Sequence, residues 1–250
     1  MTMMQNTLGI KIYAPALLDD GSRPVAVVHA MERVLPGLRL AWTVSESHQL
    51  MPLPQRDAWL AQARKGGGFQ LVCKNDESFP VTMFDLGLSA TGPGRQALFE
   101  VHAEVPLDTT VLTVAADMLA AVAEGGRALW GHATPFRAST EIAAQTVHPQ
   151  MPETPPRGLP ALKLPEKIRS PEIPHRLGWL NYWSAAAARV IGFPDPARDA
   201  DLLSRARRTA MDGWVVQLTD TPLDLDNPTH LGALQDAYER FPEIGARMAP

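Results

Sequence analysis

Short stretches of alternating apolar and polar residues run through the first half of the chain and predict β-strands. Residues 8–14 place four aliphatic side chains on one face, with Lys11 and Tyr13 on the other. A second alternating stretch spans residues 38–44. Three more strand-like runs are joined by short connections rich in Gly, Asn, Asp and Pro; they are residues 69–73, 81–90 and 97–105. These runs predict an antiparallel meander with a hairpin turn at residues 91–94.

Apolar residues at helical spacing predict helices on either side of the meander. Ser22 is placed to cap the first helix, which is expected to end before Pro36. A short helix is expected at residues 57–64, a long one at 109–124 and a further one at 136–147. The first half of the chain therefore combines a sheet with helices that cover it.

A proline-rich segment divides the chain. Residues 149–174 contain eight prolines, which exclude a regular helix and favour extended structure. We interpret this segment as a linker, or as a strap that lies over the surface. It separates an N-terminal α+β region, residues 1–148, from a C-terminal module, residues 175–250, and the alternative is one integrated domain.

The C-terminal module shows a helix, a strand and a helix in turn. Helices are expected in the second half of residues 177–191 and at residues 199–210. Residues 214–218 alternate as a strand, and Asn227 followed by Pro228 is a typical helix start. The predicted fold class is α+β: a mainly antiparallel sheet covered by helices, with this helix–strand–helix module at its C-terminal end.

Composition and charge narrow the classes of function. The chain has 250 residues, of which 45% are hydrophobic and 20% charged, as in ordinary folded proteins. Its net charge of −4 offers no overall attraction for nucleic acid or anionic lipid. With one cysteine, no intrachain disulfide can form, and no apolar stretch is long enough to span a bilayer. We therefore expect a cytoplasmic protein without a nucleic-acid or membrane partner, and its oligomeric state stays open.

Motifs of several enzyme classes are absent from the sequence: G-x-S-x-G, the P-loop, H-E-x-x-H and G-x-G-x-x-G. The glycines at 66–68 precede a predicted strand instead of following one, which favours a flexible turn. Cys73 is a conceivable nucleophile. It lies in phase with Phe69 and Leu71, however, and this favours a buried, unreactive thiol. We accordingly expect a protein that is not an enzyme and needs no cofactor.

Glu100, His102 and Glu104 form the best acid/base or metal-binding candidate. They are spaced two residues apart on a predicted strand, so their side chains share one face. A metal-dependent or hydrolytic enzyme could be built on this triad. The other interpretation is the solvated face of a strand whose opposite face fills the core.

An acidic turn precedes the last helix and contains Asp220, Asp224 and Asp226. Exposed carboxylates there would attract a basic partner protein, although aspartates are also common in turns for local reasons. Trp179, Tyr182 and Trp183 are similarly open to two interpretations, as core residues or as anchors for a partner.

The C-terminal third resembles bacterial immunity proteins of polymorphic toxin systems, and most of all the type VI immunity family. The resemblance covers residues 175–245. It lies in four segments: Leu-Gly-Trp-Leu-Asn-Tyr-Trp-Ser at 177–184, Gly-Trp-Val-Val-Gln-Leu at 213–218, Asp-Leu-Asp-Asn-Pro at 224–228, and a terminal helix with Tyr238 and Phe241.

This resemblance implies binding without catalysis. It implies an antitoxin that would occlude a cognate secreted protein toxin in interbacterial competition, and it transfers no catalytic residue. From the residues themselves, the partner-binding candidates are the acidic turn and then the face of Glu100, His102 and Glu104.

Overall fold

The computed structural model describes residues 6–17, 21–62, 71–76, 81–85, 92–148 and 154–247. The strands are β1 (Thr7–Pro15), β2 (Trp42–Val44), β3 (Leu50–Pro52), β4 (Val72–Cys73), β5 (Thr82–Asp85), β6 (Leu98–Pro106), β7 (Trp130–Pro135), β8 (Leu180–Trp183), β9 (Ala206–Arg208) and β10 (Trp214–Gln217). The α-helices are α1 (Ser22–Val34), α2 (Arg56–Ala61), α3 (Thr109–Gly126), α4 (Phe136–Ala143), α5 (Ala185–Ile191), α6 (Ala200–Ser204) and α7 (Pro228–Arg240).

These strands form one ten-stranded sheet in the order β3-β2-β4-β5-β6-β1-β7-β8-β10-β9. Every neighbouring pair is antiparallel. The α+β fold class, with a mainly antiparallel sheet covered by helices, is confirmed. None of the helices in the described ranges combines the length and apolar character that a membrane crossing needs.

One face of the sheet carries the main hydrophobic core. Leu8, Ile10 and Ile12 of β1 are buried there, as the alternation predicted. Helices α1 and α3 pack on this face and against each other. Their backbones approach so closely that a Cβ at Gly125 would lie 2.9 Å from the carbonyl oxygen of Ala26.

The proline-rich segment, as far as it is described, lies against the opposite face. It has no regular secondary structure beyond short 3₁₀ turns, which agrees with its proline content. Four of its aliphatic side chains are buried: Leu159, Leu162, Ile168 and Ile173. The indole Nε1 of Trp130 donates to the carbonyl of Pro171 at 3.1 Å, so the segment is docked on the sheet. We call residues 154–174 the strap.

Helix α7 completes this second layer. The Tyr238 hydroxyl accepts a hydrogen bond from the backbone N–H of Leu177 at 3.2 Å, where the strap leads into β8. The rings of Trp183, Phe193 and Phe241 pack edge to face, with centroids 5.1–6.2 Å apart. Trp179, Tyr182 and Trp183 are all buried, so the structure supports their interpretation as core residues.

Strands β7 and β8 were not predicted from the sequence, yet β7 lies between β1 and β8 in the sheet. All six residues of β7 and all four of β8 are buried, and a strand buried on both faces shows no alternation. Since β7 pairs with β8, the two regions on either side of the strap share one sheet. The division into residues 1–148 and 175–250, with one integrated domain as the alternative, stays a prediction.

The helix predicted at residues 199–210 is wrong in its second half. Helix α6 ends at Ser204, and Ala206–Arg208 form the edge strand β9, which pairs with β10. Tertiary pairing has overridden the helical pattern. Strand β3 is a further addition to the prediction. Parts of the runs predicted at 69–73 and 81–90, the glycines at 66–68 and residue 91 lie outside the described residues.

Candidate functional site

A row of polar side chains crosses the centre of the sheet on the strap side. Lys11 of β1 is paired with His102 of β6 and with His132 of β7. His132 is in turn paired with Asn181 of β8. Paired residues of adjacent strands point to the same face. The sheet therefore brings these four residues into one row, which we call the polar row.

Glu100 and His102 form a hydrogen bond in which both side chains are largely covered. Their side chains are only 15% and 13% exposed, so the solvated face considered from the sequence is wrong for this pair. Phe84 of β5 lies beside His102 with ring centroids 5.3 Å apart. Glu104 lies on the same strand, two residues further on.

Lys11 is half-buried in the polar row, and burial disfavours its charged form. Desolvation lowers the pKa of Lys11, and the nearby guanidinium of Arg176 lowers it further, while Glu100 and Glu104 act in the opposite direction. Burial together with the Glu100 charge raises the pKa of Tyr13 above its ordinary range. The ring of Tyr13 stacks on Trp130 at a centroid distance of 3.8 Å.

His132 is buried in the polar row, with an exposed fraction of 3%. Its Nδ1 lies 3.2 Å from the Thr134 hydroxyl, whereas Nε2 has no protein hydrogen-bond partner. Burial, and then the charge of Lys11, hold the pKa of His132 well below 6.5. The ring is therefore neutral at physiological pH.

A second buried histidine lies where the strap ends. His175 donates from Nε2 to the carbonyl of Lys163 at 3.0 Å. Desolvation is the main cause that lowers the pKa of His175 to about 3, and Arg176 adds to it. No group of three His, Cys, Asp or Glu side chains in the described part of the chain is arranged to hold a metal ion. Cys73 is buried, and burial raises the pKa of its thiol.

The three aspartates of the acidic turn have different environments. Asp226 forms ion pairs with Arg137 and with Arg157 of the strap, and Arg157 also binds Glu141 of α4. The hydrogen bond from Arg157 is the main cause that lowers the pKa of Asp226. Asp226 therefore ties the strap to the turn before α7, and its carboxylate is already engaged.

Asp224 also serves the turn itself. Its Oδ1 accepts the backbone N–H of Asp226 at 3.0 Å, while its own N–H donates to Nδ1 of His230 at 3.1 Å. Asp220 differs, because its side chain is 86% exposed and the nearest ion-pair partner, Nε of Arg205, is 4.0 Å away. Of the three, Asp220 is the carboxylate best placed to meet a partner.

Asp220 lies on the rim of a groove of about 610 Å³ between α6, the end of β10 and the outer side of α7. Three apolar side chains, Leu202, Leu218 and Ala237, contribute to its lining. The remaining lining residues are mostly polar: Arg198, Asp201, Arg205, Thr219, Thr221, Thr229, His230, Gly232, Ala233, Asp236 and Arg240. We call this feature the α6–α7 groove.

The candidates from the sequence thus lie in two separate places. Glu100, His102 and Glu104 belong to β6 beside the polar row, and Asp220 belongs to the α6–α7 groove. Sequence reasoning did not single out His132, Arg176 or the groove. An isolated lysine within an otherwise aliphatic strand, Lys11, is the signal that could have indicated the polar row.

Comparison of the chain with known proteins identifies its family and one solved structure with a similar fold. The family described as "Domain of unknown function (DUF5953)" has a model that matches residues 19–249. No curated protein matches the chain. A solved structure described as Pseudomonas aeruginosa T6SS protein PA0821 is similar at a TM-score of 0.54 and 15% sequence identity. The alignment covers 95% of this chain and 76% of that one, and at this identity it shows a shared fold.

Proposed function

The chain belongs to the DUF5953 family, and we propose that it is an immunity protein that binds a cognate secreted bacterial toxin and neutralises it by occlusion. The proposed partner is a protein toxin, and the proposed place of action is the cytoplasm of the cell that makes the chain. The proposal includes binding without catalysis and without a cofactor.

The observation that carries the proposal is the fold shared with a T6SS protein across 95% of the chain. The resemblance of residues 175–245 to immunity proteins points the same way. In the structure, the motif residues of that resemblance build the scaffold. Trp179 and Trp183 are core residues, and the Asn227 side chain caps α7 by accepting the N–H of Thr229 at 2.9 Å.

The surface offered to the toxin must then come from residues around this scaffold. The α6–α7 groove is formed by the same C-terminal module, and its rim carries exposed carboxylates. Asp220 is our first candidate for contact, with Asp224 beside it, because Asp226 is held by two arginines. The face of Glu100, His102 and Glu104 is less accessible than the sequence suggested.

The proposal predicts that a secreted toxin is encoded beside the gene for this chain, and the test uses that protein. Its C-terminal domain is expressed in a bacterial host with and without the chain, and cell growth is followed. We expect growth arrest by the domain alone, rescue by the chain, and a stable complex of the two purified proteins. Rescue without a complex, or a complex without rescue, contradicts neutralisation by occlusion.

The alternative is a metal-dependent or hydrolytic enzyme that uses Glu100, His102 and Glu104. Elemental analysis of the purified chain distinguishes the two functions. A stoichiometric metal ion that is lost in a Glu100→Gln, His102→Gln double variant would favour the enzyme. We expect no such ion, because these side chains form no three-ligand group in the described structure.

A further inference from the structure

The α6–α7 groove has an apolar floor and charged walls. Leu218 and Ala237 are buried at its base, and Leu202 is half-buried beside them. The volume of about 610 Å³ is that of a pocket that receives a small ligand or a few side chains of a partner. The groove is open to solvent on the outer side of α7.

Two of the three arginines in the groove are already paired. Arg240 binds Asp199 across a distance of 3.0 Å, and Asp199 is buried. Arg205 is held by both carboxylate oxygens of Asp201, at 2.6 and 3.3 Å. These two arginines are therefore neutralised by their partners, and the charge offered to the partner protein depends on the other charged side chains of the groove.

The rim carries exposed carboxylates, and the one that is close to an arginine, Asp220, lies 4.0 Å from Nε of Arg205. Asp220 is 86% exposed, and Asp236 of α7 is exposed and has no ion pair among the described residues. Of the three arginines that line the groove, Arg198 is the one that forms no ion pair with an aspartate among the described residues. Asp199, which pairs with Arg240, brings the aspartates at the groove to four, against three arginines, and this difference leaves room for one additional positive charge.

We propose that the α6–α7 groove is the docking site for a basic anchor of the partner protein, an arginine or lysine side chain on an extended segment. This inference rests on the proposed function and names the surface that contacts the toxin. The aliphatic stem of the anchor packs on Leu202, Leu218 and Ala237, while its charged end lies between Asp220 and Asp236. Arginine combines these two properties, which is one reason that it is enriched among the residues that dominate protein interfaces.

Gly232 allows the groove to be filled without disturbing the fold. It lies within α7 and lines the groove, and a Cβ placed on it would meet no atom within 4 Å. In a Gly232→Trp variant the new indole occupies the groove. The matched control is Ala186→Trp, which adds the same side chain at an exposed position of α5 that lines none of the described pockets.

The experiment measures binding of the C-terminal toxin domain encoded by the neighbouring gene to wild type and both tryptophan variants. We expect the Kd to rise more than about thirtyfold in Gly232→Trp, as when a dominant anchor is lost, and less than about threefold in Ala186→Trp. Circular dichroism and thermal unfolding establish that both variants are folded. A Gly232→Ala variant, which adds only a methyl group, is expected to bind as wild type does.

A second pair of variants tests the charge of the anchor. Asp236→Asn removes a rim carboxylate without changing the shape of the side chain, and Glu46→Gln removes an exposed carboxylate at the β2–β3 turn. We expect weaker binding only for Asp236→Asn, with a difference that shrinks at high salt because the interaction is electrostatic.

The outcomes separate this inference from the proposed function. If wild type binds the toxin domain and Gly232→Trp binds it equally well, the groove is not the docking site, although the immunity function stands. Equal losses in Gly232→Trp and Ala186→Trp also overturn the groove. If wild type neither binds nor protects, the proposed function fails, and this inference fails with it.

Discussion

Residues of one chemical type have different roles in this chain according to their surroundings. Asp226 joins the strap to the acidic turn through two arginines, whereas Asp220, six residues earlier, extends into solvent. From the sequence the two aspartates form one group, because they lie close together along the chain. The sequence does not show which arginines contact Asp226 in the fold. Arg137 and Arg157 come from α4 and the strap, far away in sequence.

Reversal of one charge on the acidic turn should slow association with the toxin. Asp220→Lys places a cation where the partner is proposed to be basic, so we expect the association rate at low salt to fall. The effect should weaken as salt increases, because exposed charges are screened beyond about 8 Å at physiological ionic strength. Stopped-flow kinetics at two salt concentrations measure it.

Glu46→Lys is the matched control for this charge reversal, since Glu46 is also exposed and lies at the far end of the sheet. Equal association rates for the two variants would remove Asp220 from the interface. Asp224 is left unchanged, because it also supports the turn by accepting a hydrogen bond from the backbone N–H of Asp226.

The two buried histidines should make the protein sensitive to mild acid. Burial lowers the pKa of His132 well below 6.5 and the pKa of His175 to about 3. Below pH 6.5 the unfolded chain therefore binds protons that the folded chain does not, and the free energy of unfolding falls as pH falls. The limiting slope is about 1.4 kcal/mol per pH unit for each histidine.

Urea unfolding between pH 6.5 and 4.5 measures this slope. A His175→Gln variant keeps a side-chain donor for the Lys163 carbonyl and should lose about half of the slope. His48→Asn is the control, because His48 is exposed and Asn tolerates its positive φ of 60°. A pH dependence that His175→Gln leaves unchanged would show that other groups govern acid stability.

At the scale of elements, a strand could be predicted from the sequence when only one of its faces is buried. Strand β1 is buried on one face, so its alternation was visible, whereas β7 is buried throughout and its composition resembles a loop that ends in proline. The polar row depends on β7 because His132 lies on it. The pairing of β6, β1 and β7 could therefore not be inferred, and the row remained hidden although Lys11 was noted.

Gly178 shows how tightly the segment between the strap and β8 is packed on β7. A Cβ at this position would lie 2.2 Å from the Thr134 hydroxyl and 2.9 Å from the Cβ of His132. We expect Gly178→Ala to lower the free energy of unfolding by about 1–3 kcal/mol, as overpacking of a core does. Chemical denaturation measures the change.

Gly232→Ala, in helix α7, is expected to have the opposite effect on the free energy of unfolding. Its added methyl group meets nothing within 4 Å, and alanine favours a helix interior over glycine by about 1 kcal/mol. The two alanine variants should therefore shift stability in opposite directions. A stabilised Gly178→Ala protein would mean that the segment between the strap and β8 is not packed on β7 as described.

For the molecule as a whole, the shared sheet predicts cooperative unfolding. Strand β8 is paired with β7 on one side and β10 on the other, so residues 175–250 contribute to the same hydrogen-bonded sheet as residues 1–148. We expect circular dichroism and tryptophan fluorescence to report a single coincident urea transition. Two separate transitions would instead identify two independently stable units.

The pairing of β7 with β8 also has a consequence during synthesis of the chain. The ribosome releases β7 well before β8, because residues 136–179 lie between them. Until then the outer edge of β7 has backbone groups without strand partners, and such edges attract other strands. A chain truncated before residue 180 should therefore aggregate or be degraded. On the proposed function, a newly synthesised molecule protects its cell only after its last third has been translated.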